Sequence, residues 1–174
     1  MDLSKIGPGK NAPGQVNVLI EIPQGVSVKY ELDKKSGAIF VDRFLYTAMT
    51  FPFNYGFVPE TQGGDGDPLD VVVLCREPVG IGVIIRAKPI GLLAMEDEAG
   101  EDSKIIAVPT QKADPKFGAY NDIADVPNET KEHIVHFFEN YKKQEPGKWV
   151  KVRGWKGRKE ALDAVKKALG NGHR

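Results

Sequence analysis

Val16-Asn17-Val18-Leu19-Ile20-Glu21-Ile22 alternates with a period of two: Val16, Val18, Ile20 and Ile22 share one face, and Asn17, Leu19 and Glu21 share the other. Pro23-Gln24-Gly25 then turns the chain. This is the pattern of a strand, not of a helix. Val26, Val28, Tyr30 and Leu32 alternate in the same way against Ser27, Lys29, Glu31 and Asp33 before the turn Lys35-Ser36-Gly37. Further strands are predicted over Ala38–Leu45, Leu69–Leu74, Gly82–Ala87, Ile90–Met95 and Ile105–Val108. Of these, Leu69–Leu74 is apolar enough to be buried on both faces. With 19 glycines and 12 prolines as punctuation, the spacing is that of a small β-barrel or sandwich.

Helices come late. Ile134, Phe137, Phe138 and Tyr141 recur at i, i+3, i+4 and i+7, which predicts an amphipathic helix from after Asn128 to about Lys143. Trp149–Val152 reads as a short strand, and Leu162, Val165 and Leu169 mark a second helix closed by Gly170 as its C-terminal cap. Strands first and helices last predicts an α+β fold, one domain over residues 1–174, with helices packed on a small barrel.

Composition excludes several classes. The chain has 174 residues, 41% hydrophobic and 28% charged, which suits an ordered globular protein able to bury about 70% of its unfolded surface. Its longest apolar runs, Val71–Cys75 and Val79–Ile85, are too short to span a bilayer. The first ten residues lack the apolar core of a signal peptide. The lone cysteine, Cys75, ends an apolar run and reads as a buried packing thiol in a reducing, cytoplasmic setting. Net charge is zero, which argues against binding nucleic acid by charge alone. The charge is uneven, however. Residues 142–174 carry 11 Lys/Arg against 3 Asp/Glu, a basic excess that reads as a solvated face.

The acidic excess clusters. Asp65-Gly66-Asp67-Pro68-Leu69-Asp70 sets three carboxylates at i, i+2 and i+5 on a turn directly before the buried strand. Like charges so close raise one another's pKa, and a hard divalent cation with oxygen ligands relieves that cost. An EF-hand loop counted from Asp65 fails, because its sixth position is Asp70 instead of Gly and its twelfth is Arg76 instead of Glu. A second cluster, Glu96-Asp97-Glu98-Ala99-Gly100-Glu101-Asp102, has five acids in seven positions and also precedes a strand. Two such turns favour a multi-metal site over two solvated loops. Charges also stand inside strands: Glu21 in an apolar one, Lys29 and Glu31 on one face, and Arg43 on a face with Ile39, Val41 and Leu45. Each alone is an ordinary outward residue. Together they suit a site for metal ions and an anionic substrate, with Arg as a fork for phosphate and Lys as a point charge.

With these residues in view the chain resembles the family I soluble inorganic pyrophosphatases of the short prokaryotic type. Asp65-Gly66-Asp67-Pro68-Leu69-Asp70-Val71 matches that family's seven-residue signature at every position. Glu21-Ile22-Pro23, Lys29-Tyr30-Glu31, Gly37-Ala38 with Val41-Asp42-Arg43, Asn54-Tyr55-Gly56, Asp97 to Asp102 with Lys104, His136-Phe137-Phe138-Glu139 with Tyr141-Lys142, and Gly147 to Val152 follow in the family's order. The resemblance implies a five-stranded OB-like barrel with two helices, and Mg²⁺-dependent hydrolysis of pyrophosphate to two phosphates by a metal-activated water, with several Mg²⁺ ions per site and Mn²⁺ as a substitute. It implies Glu21, Glu31, Asp65, Asp70, Asp97 and Asp102 as metal carboxylates and Asp67 as the base facing the attacking water. Lys29, Arg43, Tyr55, Lys104, Tyr141 and Lys142 would hold the phosphates. A homo-oligomer, with a hexamer favoured, is implied too. Phe51 stands where the family often has Tyr, which removes one hydroxyl from the outer phosphate shell.

The physics is consistent with that reading, because hydrolysis of a polyanion rests on charge neutralisation and needs no covalent intermediate. An OB module that binds nucleic acid is the rival reading, and it requires a basic groove interleaved with exposed aromatics. His133 and His136, at i and i+3, read as helix-surface or subunit-interface residues, and Trp149 and Trp155 as core anchors.

Overall fold

The computed structural model describes residues 3–64 and 66–171, with Ser4 described by its backbone alone. In chain order its strands and helices are β1 (Val16–Ile22), β2 (Val28–Leu32), β3 (Ile39–Phe44), β4 (Asn54–Phe57), β5 (Asp70–Val73), β6 (Ile84–Asp97), β7 (Gly100–Glu101), β8 (Lys104–Pro109), α1 (Asn128–Asn140), β9 (Val150–Lys156) and α2 (Arg158–Asn171). Strands β1, β4, β5, β8 and β6 pair in that order, and β6 pairs back onto β1. The result is a five-stranded ring, as the family resemblance implies. β7 and β9 extend the sheet from β6, while β2 and β3 form a separate hairpin.

Both faces of the ring are covered. Val71 and Val73, Ile105 and Ala107 pack with Val16, Val18, Ile20 and the α2 residues Ala161 and Val165. Val72, Leu74, Ile106 and Val108 turn the other way, onto Phe51, Phe53 and the α1 residues Ile134, Phe137 and Phe138. Strands buried on both sides lose the alternation of apolar and polar residues, and β5 accordingly reads as a continuous apolar run.

Several boundaries differ from the sequence reading. Gly82–Ala87 and Ile90–Met95 belong to one strand, β6, which passes through Pro89 without stopping. Proline cannot donate to a ladder, and the register with β8 skips Ile90 at that place, pairing Pro89 with Ala107 and Gly91 with Ile106. β4 was not expected, since it is four residues long and contains Gly56. β9 runs on to Lys156, α1 stops at Asn140, and Gly170 lies inside α2 instead of capping it. The basic excess of the C-terminal segment is not simply solvated. Lys142 and Lys148 pair with Glu98, and Arg153 with Glu96. Trp155 packs against the core, but Trp149 is about half exposed and anchors nothing. Cys75 is only half buried.

Gly56 is required where β4 meets β1. A Cβ placed there would stand 1.8 Å from the Leu19 carbonyl oxygen, a backbone atom that no rotamer change can move. We expect Gly56→Ala to destabilise the protein by about 3 kcal/mol or more, lowering the thermal midpoint by roughly 6–12 °C. A melt that superimposes on the parent's would show that β4 can shift away from β1.

Candidate active site

β5 and β8 are the one parallel pair among the described residues, with Val71 beside Ile105 and Val72 beside Ile106. Parallel neighbours begin at the same end of a sheet, so the two acidic turns that precede them open together. By the same register, Asp70 and Lys104 lie side by side at the strand starts. Lys104 is 5% exposed. Its Nζ donates to Asp70 Oδ2 at 2.5 Å and to Asp102 Oδ1, and it stands 5.7 Å from the Tyr55 ring centroid. Burial works against the ammonium, but Asp70, Tyr55 and Asp102 outweigh it and hold its pKa above the usual lysine value. One ammonium cannot balance two carboxylates, however. Asp102 is pushed up by burial and by Asp70 and Asp97, against the pull of Lys104.

Glu21 enters from β1 through a bulge. Ile20 pairs with Gly56 and Ile22 with Tyr55, so Glu21 is the extra residue. Bulges re-aim side chains and are frequent beside active sites. The Glu21 carboxylate is buried and accepts the Leu32 N–H at 2.8 Å. Burial, with Asp70 and Glu31 adding to it, raises its pKa from 4.5 to about 7. A second bulge lies in the hairpin, where Lys29 pairs with Arg43 and Tyr30 with Val41, leaving Asp42 over. The expected face shared by Arg43 and Val41 is broken there. Asp42 Oδ2 instead accepts from both Lys29 Nζ at 2.8 Å and Arg43 Nη1 at 2.6 Å. Arg43 Nε also donates to Glu145 at 2.9 Å, and Lys29 lies 3.4 Å from Glu31.

A cavity of about 310 Å³ has Glu21, Lys29, Glu31, Tyr55, Asp67 and Asp70 in its lining. Beside it Lys142 Nζ donates to Asp97 Oδ2 at 2.8 Å and to Glu98 Oε2 at 3.0 Å. Tyr141 stacks on Phe137 at 5.0 Å and feels Lys142, Lys104, Asp102 and Arg43. Burial raises the pKa of both Tyr55 and Tyr141, so each keeps a hydroxyl proton to donate at neutral pH. Asp65 lies outside the described residues. Among the described residues no three acids already form a metal cluster. The donor set nevertheless fits a hard cation: all are carboxylates, burial and then neighbouring acids make Glu21 and Asp102 hold a proton more readily than usual, and Lys104 offsets only part of the charge. His133 and His136 are exposed on α1, far from any such set in character.

Phe51 packs under the two site phenols. Its ring is buried, with centroids 4.7 Å from Phe137, 6.2 Å from Tyr55 and 6.4 Å from Tyr141. Residues the sequence reading passed over are Asp42, Glu98 and Glu145, which hold the expected cations, and Asn54. Asn54 is fully buried; its Oδ1 accepts from Gln24 N at 3.0 Å and Val79 N at 2.8 Å, and its Nδ2 donates to Glu77 O at 3.0 Å. It thereby fixes the start of β4 just ahead of Tyr55. Neither its burial nor its partners are visible in the sequence.

A profile of the inorganic pyrophosphatase family matches residues 18–172. The chain belongs to that family. It is 53% identical over 171 residues to an inorganic pyrophosphatase of Aquifex pyrophilus, covering 98% of this chain and 97% of that one. It is 55% identical over 165 residues to that of Aeropyrum pernix, covering 95% and 94%. Its fold matches the crystal structure of the inorganic pyrophosphatase from Thermus thermophilus with a TM-score of 0.92 at 44% identity, over 96% of each chain.

Glu21 gives this pyrophosphatase-family site a measurable pH signature when no metal is present. Its carboxyl loses a proton near 4.5 unfolded and near 7 folded. Between those values the folded chain holds a proton that the unfolded chain has lost, so this group's contribution to stability falls as pH rises from about 4.5 to about 7. In metal-free protein Glu21→Gln keeps an acceptor for the Leu32 N–H and removes the buried charge. We expect it to stabilise the fold by roughly 3 kcal/mol at pH 8 and by almost nothing at pH 4. Equal thermal shifts at both pH values would show that Glu21 titrates in the fold as it does in the unfolded chain.

Proposed function

We propose that this chain hydrolyses inorganic pyrophosphate to two phosphates by direct attack of water, with Mg²⁺ as its cofactor and Mn²⁺ as a substitute. The observation that carries this reading is the buried Lys104 ammonium bracketed by Asp70 and Asp102, within a wider acidic set rimmed by Lys29, Arg43 and Lys142. Such a basin offers negative oxygens to cations and positive groups to phosphate in one place. Glu21, Glu31, Asp65, Asp70, Asp97 and Asp102 would hold the divalent ions. When bound, these ions neutralise phosphate oxygens and lower the pKa of water.

The chain's own groups do the rest. Arg43 takes a phosphate as a fork, while Lys29, Lys104 and Lys142 attract it as point charges. Tyr55 and Tyr141 donate hydroxyl protons to phosphate oxygens. Asp67, whose side chain is 72% exposed, accepts the proton of the attacking water and returns it to solvent. The nucleic-acid reading is weaker, because it requires a basic groove and the cavity is lined by Glu21, Glu31, Glu60, Asp67 and Asp70 against Lys29 and Lys34. The same proposal expects a cytoplasmic enzyme working as a homo-oligomer, with a hexamer favoured. No helix among the described residues is long and apolar enough to cross a membrane.

Phosphate release from pyrophosphate is the direct test. We expect turnover with Mg²⁺ that is lost on EDTA treatment and restored by Mg²⁺, less completely by Mn²⁺ and hardly by Ca²⁺, whose looser geometry suits in-line attack poorly. Full activity in metal-free protein would overturn the metal assignment.

Asp67→Asn separates proton transfer from metal binding, since the amide is nearly isosteric but accepts no proton. We expect the rate to fall by about 10²–10⁴-fold at saturating Mg²⁺, with calorimetric Mg²⁺ affinity close to the parent's. Restoration of the rate by excess Mg²⁺ would make Asp67 a ligand instead of the base.

A further inference from the structure

Lys34 belongs to none of the residue sets above, yet its Nζ donates to Asp67 Oδ1 at 2.9 Å. The two come from different parts of the fold. Lys34 sits on the β2–β3 turn, and Asp67 on the loop ahead of β5. That turn is built to be rigid. Asp33 Oδ2 accepts from Ser36 N at 2.8 Å and Ser36 Oγ at 2.6 Å, while Asp33 N donates to Ala38 O at 2.9 Å and Gly37 N to Asp33 O at 2.8 Å. The Asp67 loop has its own ties, Gly63 N to Asp67 O at 2.7 Å and Leu69 N to Thr61 Oγ1 at 3.0 Å. Its backbone is thus set from within the loop, and the Asp67 carboxylate is met by a cation standing on a separate rigid support. Both residues line the cavity that holds Glu21 and Asp70.

We propose that Lys34 is a positioning residue for the reaction: it spans from the hairpin to the loop and fixes the direction in which the Asp67 carboxylate faces the attacking water. This rests on the reading of Asp67 as the base. The pair contributes little to stability, because the side chains are 60% and 72% exposed and exposed pairs contribute at most about 1 kcal/mol. Orientation is different: small misplacements of a reacting group cost large factors in rate. The cation also differs in kind from Lys29, Lys104 and Lys142, each of which sits against acids in the partly or fully buried floor of the site.

The test is steady-state pyrophosphate hydrolysis at saturating Mg²⁺ by the full-length parent, Lys34→Met, Lys34→Arg, Asp67→Asn and the double variant Lys34→Met/Asp67→Asn, with thermal melts on each. A positioning role lowers kcat about tenfold in Lys34→Met with KM within twofold and an unchanged melt. Lys34→Arg, which keeps a cation able to reach the same oxygen, recovers most of that loss. The decisive arm is the double variant: it is no slower than Asp67→Asn alone, because a residue that acts through Asp67 has nothing left to act on. Three results overturn the proposal: parent-like kcat in Lys34→Met, a raised KM with kcat intact (Lys34 would then be a phosphate ligand), or losses that multiply in the double variant. A parent enzyme that releases no phosphate would instead overturn the functional reading itself, so the two failures are distinct.

Discussion

A parallel register between two four- to six-residue strands is the constraint on which the site depends. β5 and β8 start at the same end of the ring because they run the same way. The acidic turn before each therefore opens onto the same space, although Asp70 and Asp102 are 32 positions apart in the chain. Bringing two carboxylates together is unfavourable in itself. Lys104, at the first position of β8, stands beside Asp70 and answers part of that cost. Shifting the β5–β8 pairing by one residue would reverse the facing of Val71, Val72 and Val73 between the two cores. The two apolar clusters thus lock the register, and the register locks the ion triad. The candidate site is thus held in place by hydrocarbon packing.

Every cation expected to bind phosphate already has an anionic partner: Lys29 and Arg43 share Asp42, Arg43 also reaches Glu145, and Lys142 lies between Asp97 and Glu98. Phosphate taking those cations would exchange one anion for another instead of being captured by bare charge. Such exchange keeps the cations charged and oriented beforehand. Lys29, Arg43 and Lys142 all have raised pKa values because their acid partners outweigh the cost of burial. The acids displaced from them are, in the case of Asp97, the same groups assigned to divalent ions. Anion and cation binding are consequently coupled by geometry: whatever draws Lys142 toward a phosphate frees the carboxylate that a metal would use.

Much of this was legible in the sequence, and what was not has identifiable causes. The seven residues Asp65–Val71 and the run of acids from Glu96 announce the site because charge clusters against apolar strands are conspicuous. Alternation and turn residues showed strands of a barrel or sandwich, and the family resemblance implied the closed five-stranded form. Bulges were not legible, because a period-two reading assumes one partner per residue. Two of the register shifts fall on Glu21 and Asp42, so the same assumption that revealed the strands misassigned the face of Arg43 and gave Asp42 no role. Pro89 misled in the opposite direction: it reads as a break, but a skipped residue in the ladder carries β6 through it. The ion pairs of Lys142, Lys148 and Arg153 could not be read at all. They join positions 44 to 57 residues apart, and nothing local marks them.

The aromatic wall completes the argument from packing to chemistry. Phe51, Phe53, Phe137 and Phe138 lie under Tyr55 and Tyr141, with Phe53 against Phe138 at 5.3 Å and Phe51 against Phe137 at 4.7 Å. Rings so packed leave the two phenols little rotational freedom. Burial keeps both hydroxyls protonated, and the wall fixes where they point. A tyrosine at position 51 would have to extend its hydroxyl from within this cluster to reach the site. With phenylalanine there, the cluster is wholly hydrocarbon, and the placement of Tyr55 and Tyr141 follows from close packing alone. The side chain at 51 thus bears on the site through its two neighbours, a ring packed against both the phenol from β4 and the one just after α1.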